Sequence, residues 1–315
     1  MTSPPDTVRL EAMRGGEHRH YRVPSLLEML AVLILALGVR LGALHHPHFH
    51  DELYHVLAAK SLLANGTLVI GAGDPYTRAS GFTYLVAGVF KLAGVGMTQL
   101  RIVPLAAGTL TVGLLFGWLH RAVGRATAWI AAVLLILDPE SVIYSATGRF
   151  YSLQTLLFLV AVVCAWWSTL PGRATRSQFV GLAGAAVALG ATIHLQVSSL
   201  LGAVLLALWV VIVLATKPIT RATIARRRLW VAATSVVFVG LIIMAWLAGT
   251  AGWLARMSEF VPAWAAAQQH EIRFYYWAMF LDYPLLVALL PVLAVLAIGR
   301  WPREATLCLL IPVGV

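Results

Sequence analysis

Residues 25–66 read SLLEMLAVLILALGVRLGALHHPHFHDELYHVLAAKSLLANG. From 25 to 44 the only charged residues are Glu28 and Arg40. An apolar helix of about 20 residues crosses a bilayer. The run is too long for the apolar region of a signal peptide, and no convincing cleavage site follows it, so it reads as a retained span. The polarity then changes abruptly. His45, His46, His48, His50 and His55 surround the adjacent carboxylates Asp51 and Glu52. Leu53, Val56, Leu57 and Leu63 predict a short amphipathic helix with Asp51 at its cap and Asn65–Gly66 at its end. The positive end of a helix dipole favours negative charge at its start. A span therefore delivers two carboxylates to the membrane surface, a pair suited to taking a proton from a hydroxyl or holding a divalent cation.

The rest of the chain has the same grain. Of 315 residues, 60% are hydrophobic and 11% charged, against about 25% charged in a soluble domain. Further apolar runs fall at 100–119, 127–143, 150–169, 178–195, 198–216, 229–249 and 282–299. A last run begins at 305 and stops at Val315, after about 11 residues, which is shorter than a crossing. The expectation is an all-α polytopic membrane protein with about eight or nine transmembrane helices, the final one cut short. Cys164 and Cys308 both lie in apolar runs and imply no disulfide framework.

Charge fixes the expected topology. A net charge of +10 in a soluble chain would suggest nucleic acid, but here the basic residues sit in short loops, where cytoplasmic excess is the rule. If 81–95 (GFTYLVAGVFKLAGV) is a juxtamembrane helix, the tail 1–23 and the loops around 120–125, 173–176, 217–228 and 300–303 share one side. With Glu28 and Glu304, that side holds 15 Lys+Arg and 5 Asp+Glu, whereas the other holds 7 and 8. This predicts a cytoplasmic basic tail (1–23), a transmembrane module (24–249) with outer loops 45–98 and 138–149, a further outer loop (250–281) and C-terminal spans (282–315). The setting is the plasma (inner) membrane, multi-pass, with the N-terminus cytoplasmic.

The outer side gathers the ionisable chemistry. The second outer loop, DPESVIYSATGRFYSL (138–153), breaks a helix at Pro139 and offers Glu140, Arg149 and Tyr151. A guanidinium at that depth asks for a partner or an anion. QQHEIRFYYW (268–277) adds His270, Glu271 and Arg273 among interfacial aromatics. Metal-ligand candidates are Glu52, His55, His194 and His270, which admit a divalent ion without requiring one. Walker A, GxGxxG and HExxH sequences are absent, so nucleotide chemistry and zincin proteolysis have no support.

The order of these elements resembles a known family. A span ending in Arg40, then DELYHVLAAKSLL (51–63), GDPYTRASGFTYLVAGVFKLAG (73–94), QLRIVPLAAGTLTVGLLFGWLHRAVGR (99–125), LLILDPESVIYSATGRFYSL (134–153) and ATIHLQ (191–196) are similar to the first module of GT-C glycosyltransferases. The protein-mannosyltransferase and aminoarabinose-transferase branch of bacteria is the most similar. The resemblance implies inverting transfer of a sugar from a polyprenyl-phosphate-linked donor to a glycan, lipid or protein acceptor on the extracytoplasmic face. It places the catalytic base at Asp51, with Glu52 beside it, and a second charged position at Glu140 or Arg149. Arg149, Arg273 or Lys60 would then neutralise the departing phosphate. The competing readings are a transporter or lipid flippase, which would show inverted repeats and mid-span charges, and a non-catalytic membrane scaffold.

Overall fold

The computed structural model describes residues 23–45, 50–71, 73–170, 173–196, 198–215, 297 and 303–307. The expected tail (but for Val23), the expected spans at 229–249 and 282–299 (but for Ala297), and loop 250–281 with His270, Glu271 and Arg273 lie outside the described residues.

Helix α1 (Leu26–Gly42) starts where Ser25 and Glu28 cap each other: the Glu28 N–H donates to Ser25 Oγ (3.2 Å), and the Ser25 N–H donates to Glu28 Oε2 (2.9 Å). Two of the N–H groups that every helix start leaves without partners are thereby satisfied. A 3₁₀ turn, Ala43–His45, closes it. Helix α2 (His50–Asn65) follows and ends as expected at Gly66, which has φ +72°. Its first turn contains Asp51 and Glu52, so Asp51 lies inside the helix rather than at its cap. The apolar stripe read from the sequence is not the buried one. Glu52, His55, Ala58 and Ala59 face inward, and Leu53, Leu57 and Leu63 are exposed.

An all-α reading missed one small feature: β1 (Val69–Ile70) pairs antiparallel with β2 (Asp74–Pro75). Helix α3 (Ser80–Ala93) then packs on α2, burying Phe82, Thr83, Val86, Ala87 and Phe90. The remaining described helices are α4 (Met97–Ala122), α5 (Arg125–Leu137), α6 (Pro139–Ala146), α7 (Tyr151–Ser168), α8 (Thr175–Leu195) and α9 (Ser199–Ala215).

Four segments are long and apolar enough to cross a membrane: Leu26–His45, Met97–Ala122, Tyr151–Ser168 and Arg176–Leu195. The run expected at 127–143 is two helices, α5 and α6, bent by 60° at the Asp138–Pro139 step. Pro139 cannot donate to the preceding turn, while Asp138 starts a new helix by accepting from the Ser141 N–H (2.8 Å). Counted as one broken span, the pair brings the described spans to five. The chain is a multi-pass membrane protein.

Contacts fix which ends meet. Arg101, in the second turn of α4, donates from Nη1 to the Leu44 carbonyl just after α1 (2.7 Å). The chain thus leaves α1 and enters α4 at the same end of the bundle. At the opposite end Arg125 Nε donates to Glu28 Oε1 (2.6 Å), with His120 Nε2 4.0 Å from Glu28 Oε2. Between the ends lies an apolar core that includes Val32, Val112, Phe116, Phe158, Val162 and Trp166.

Candidate active site

The two neighbouring carboxylates have separate surroundings. Successive helical residues differ in direction by about 100°, and this one step divides the pair. Glu52 is fully buried. Its two oxygens accept from Arg101 Nε (3.0 Å) and Nη2 (2.9 Å), a bidentate fork, and Oε1 also accepts the Gly148 N–H. Asp51, with its side chain 44% exposed, accepts from Arg149 Nη1. These contacts join helices α2 and α4 to the corner between α6 and α7.

The corner is tight for a reason. A Cβ on Gly148 would strike Leu100 Cδ2 and lie 2.9 Å from Glu52 Oε1. Only glycine lets the backbone come close enough for its N–H to reach the buried carboxylate. Arg149 follows immediately and turns toward Asp51, its guanidinium carbon 4.9 Å from the centre of the Tyr151 ring. Its Nε is buried with no hydrogen-bond partner among the described residues.

Phe150 is a shared floor. The guanidinium carbons of Arg78 and Arg149 lie 5.7 and 5.9 Å from its ring centre, within the range of cation–π attraction. His55 stands edge-on to Phe150, Phe82 and Tyr76. Its Nδ1 is 3.0 Å from Thr83 Oγ1, and its Nε2 is 3.4 Å from the Tyr76 hydroxyl. Burial, helped by the positive charges of Arg149 and Arg78, pushes the His55 pKa down to about 3, with Asp51 opposing. The ring is neutral. Burial likewise raises the Tyr76 pKa, keeping the phenol protonated.

Of the residues singled out in the sequence, Asp51, Glu52, Arg149, Tyr151 and His55 come together. Glu140 is exposed in the first turn of α6, beside Tyr144, whose ring meets that of Tyr151. Lys60 is exposed nine residues beyond Asp51, about half a turn round the helix, on the face carrying Leu53 and Leu57. His194, at the end of α8, meets the start of α3: Nε2 is 3.0 Å from Ser80 Oγ and accepts the Gly81 N–H (3.4 Å). Among the described residues no group of three or more His, Cys, Asp or Glu converges as a metal site. The described metal candidates are engaged separately: Glu52 by Arg101, His55 by Thr83 and Tyr76, His194 by α3.

Sequence reading passed over Arg101, Arg78 and Tyr76. A signal existed for Arg101: an arginine near the start of a long apolar helix needs a partner to be tolerated there. Arg78 and Tyr76 sit in an ordinary polar loop and carried none.

No family model and no curated protein matches the chain. Two solved structures of ArnT from Cupriavidus metallidurans do, one bound to undecaprenyl phosphate and one in the apo state. The TM-score is 0.63 for each, at 15% and 16% identity, over 89% of this chain. The chain has an ArnT-like fold. ArnT is an aminoarabinose transferase of the GT-C superfamily, and the order of the sequence motifs resembles that superfamily. The match covers 52% of ArnT, so this chain spans about half the length of its structural neighbour.

Proposed function

We propose that this protein is a membrane-embedded inverting glycosyltransferase of the GT-C type, moving a sugar from a polyprenyl-phosphate-linked donor to a glycan, lipid or protein acceptor. The reaction takes place on the extracytoplasmic face of the plasma membrane, at the end of the bundle that carries α2 and α3, with the N-terminus cytoplasmic. The observation that carries this reading is the accessible Asp51 carboxylate held against Arg149. In support, a structural neighbour was solved with undecaprenyl phosphate bound.

The charges suit the chemistry. Glu52 and Arg101 cancel each other inside the protein. What remains is one carboxylate, Asp51, with two guanidinium groups, Arg78 and Arg149, a set with net positive charge that accepts an anionic phosphate while keeping a base. The donor phosphate draws Arg149 away from Asp51, and its unused Nε–H supplies a further donor. Asp51, released, takes the proton of the acceptor hydroxyl as that oxygen attacks the anomeric carbon. The bond from the anomeric carbon to the phosphate oxygen breaks on the opposite face, and polyprenyl phosphate departs with the electron pair, its charge held by Arg149 and Arg78. Configuration inverts.

The test is Asp51→Asn in proteoliposomes supplied with undecaprenyl-phosphate-linked sugars. Transfer should fall by about 10²–10⁴-fold, the usual effect of removing a positioned base, while insertion and thermal stability stay at parent values. Near-normal turnover would refute the assignment.

A further inference from the structure

Arg40 lies in the apolar span α1 with no exposed surface, and the mechanism above does not use it. Among the described residues no carboxylate lies within ion-pair distance of it. Its guanidinium is instead spent on hydroxyls and backbone carbonyls. Nε donates to Ser145 Oγ (3.1 Å), Nη1 to the Ala36 carbonyl (3.2 Å), and Nη2 to Ser141 Oγ (2.9 Å) and the Leu135 carbonyl (3.5 Å).

The Leu135 contact explains the arrangement. In an unbroken helix the carbonyl of residue 135 accepts the N–H of residue 139, and residue 139 is proline, which has none. An orphan carbonyl inside a membrane protein is costly. The Arg40 guanidinium supplies the missing donor from another helix. The same group grips Ser141 and Ser145 of α6, and Ser152 at the start of α7 donates to Ser145 Oγ (3.4 Å). Helix α4 makes room: a Cβ on Gly108 would strike Ser145 Oγ and lie 3.1 Å from Arg40 Nε.

We propose that Arg40 is a positioning residue: by standing in for the absent Pro139 N–H and bonding Ser141 and Ser145, it sets the α5–α6 bend and so places the Gly148–Arg149 corner against α2. The consequence for phosphate rests on the reading of Arg149 given above; the placement of α6 does not.

The experiment uses the full chain with Cys164 and Cys308 replaced by alanine and spin labels at exposed positions 57 (α2) and 143 (α6). Distances by pulsed electron resonance are compared for the parent, Arg40→Met, Arg40→Lys, Gly108→Ala and the double variant S141A/S145A. Undecaprenyl phosphate is the binding probe. Met and Gly108→Ala should shift or broaden the distance, and Lys, which keeps a charged donor, should restore it in part. Affinity for the probe should fall on the order of tenfold or more in Arg40→Met, since misplacement by an ångström is costly at a site of this kind. Unchanged distances across the variants overturn the proposal whatever the binding result. Shifted distances with unchanged affinity support the role of Arg40 and overturn that of Arg149 as phosphate ligand. Should Arg40→Met fail to insert, S141A/S145A decides: it leaves the charge in place, and a shift supports the proposal while none overturns it.

Discussion

Replacing Glu52 by Gln separates the two carboxylates most sharply. The glutamate is fully buried and its partner Arg101 has 2% of its side chain exposed. Three donors converge on it: Arg101 Nε, Arg101 Nη2 and the Gly148 N–H. Glutamine keeps the shape but offers one acceptor oxygen, and its amide group faces an N–H of Arg101, donor against donor. The guanidinium stays buried without a countercharge. Breaking a buried pair by removing one member costs about 3–5 kcal/mol. At about 1.4 kcal/mol per factor of ten, the ratio of folded to unfolded protein falls by roughly 10²–10⁴. The assay is reversible unfolding in mixed micelles, followed by near-UV circular dichroism. Replacing both partners by apolar residues of similar size (E52L/R101M) should restore much of the loss, giving a coupling of up to about 3 kcal/mol in a double-mutant cycle. A Glu52→Gln protein within about 1 kcal/mol of the parent, or a double variant whose losses simply add, would refute the structural role of the pair.

Three further outcomes follow from the geometry. His55 has an ordinary pKa of 6.5 and one of about 3 when folded, so between these values the unfolded chain binds more protons. Stability from this group is complete above about 6.5 and is lost as pH falls toward 3, at up to about 1.4 kcal/mol per pH unit. Melting temperatures from pH 7 to 4 should therefore drop more steeply for the parent than for His55→Phe, and equal slopes would refute the buried neutral ring. Gly148→Ala forces a methyl into Leu100 and Glu52 and should destabilise by about 1–3 kcal/mol while also lowering transfer, both read from one preparation. Lys60→Ala should change stability by less than about 0.5 kcal/mol and leave transfer untouched, because Lys60 is exposed on the leucine-bearing face of α2; a large loss of transfer would return it to the phosphate site.

How far the sequence could be read depended on the range of the physics involved. The described spans and the helix end at Asn65–Gly66 are local matters of hydropathy and turn chemistry, and they were legible; the helix start was not, since Asp51 lies inside α2 rather than at its cap. The break at Asp138–Pro139 was legible too, though the run 127–143 still looked like one crossing, since hydropathy does not register a bend. The leucine stripe marked α2 as amphipathic without saying which face the protein would bury. Leu53 and Leu57 are exposed, and the inner face holds Glu52 and His55. The partners were the least legible. Glu52 meets Arg101 across 49 positions and Asp51 meets Arg149 across 98, separations that no window of sequence spans.

The two carboxylates looked like a couple because they are adjacent, and adjacency on a helix is what separates them. One helical step turns Glu52 into the protein, where Arg101 neutralises it, and leaves Asp51 at the rim. Were both at the rim, two negative charges would face two guanidinium groups and the accessible set would be neutral, with no net attraction for a phosphate. With Glu52 withdrawn, the set keeps one positive charge in excess and one base. The Gly148 N–H completes the arrangement by tying the buried carboxylate to the residue just before Arg149, so the buried acid sets where the Arg149 guanidinium stands against Asp51. Loss of Glu52 should therefore impair phosphate binding through the placement of Arg149 even in the fraction that remains folded, whereas loss of Asp51 should leave that binding intact and stop the transfer.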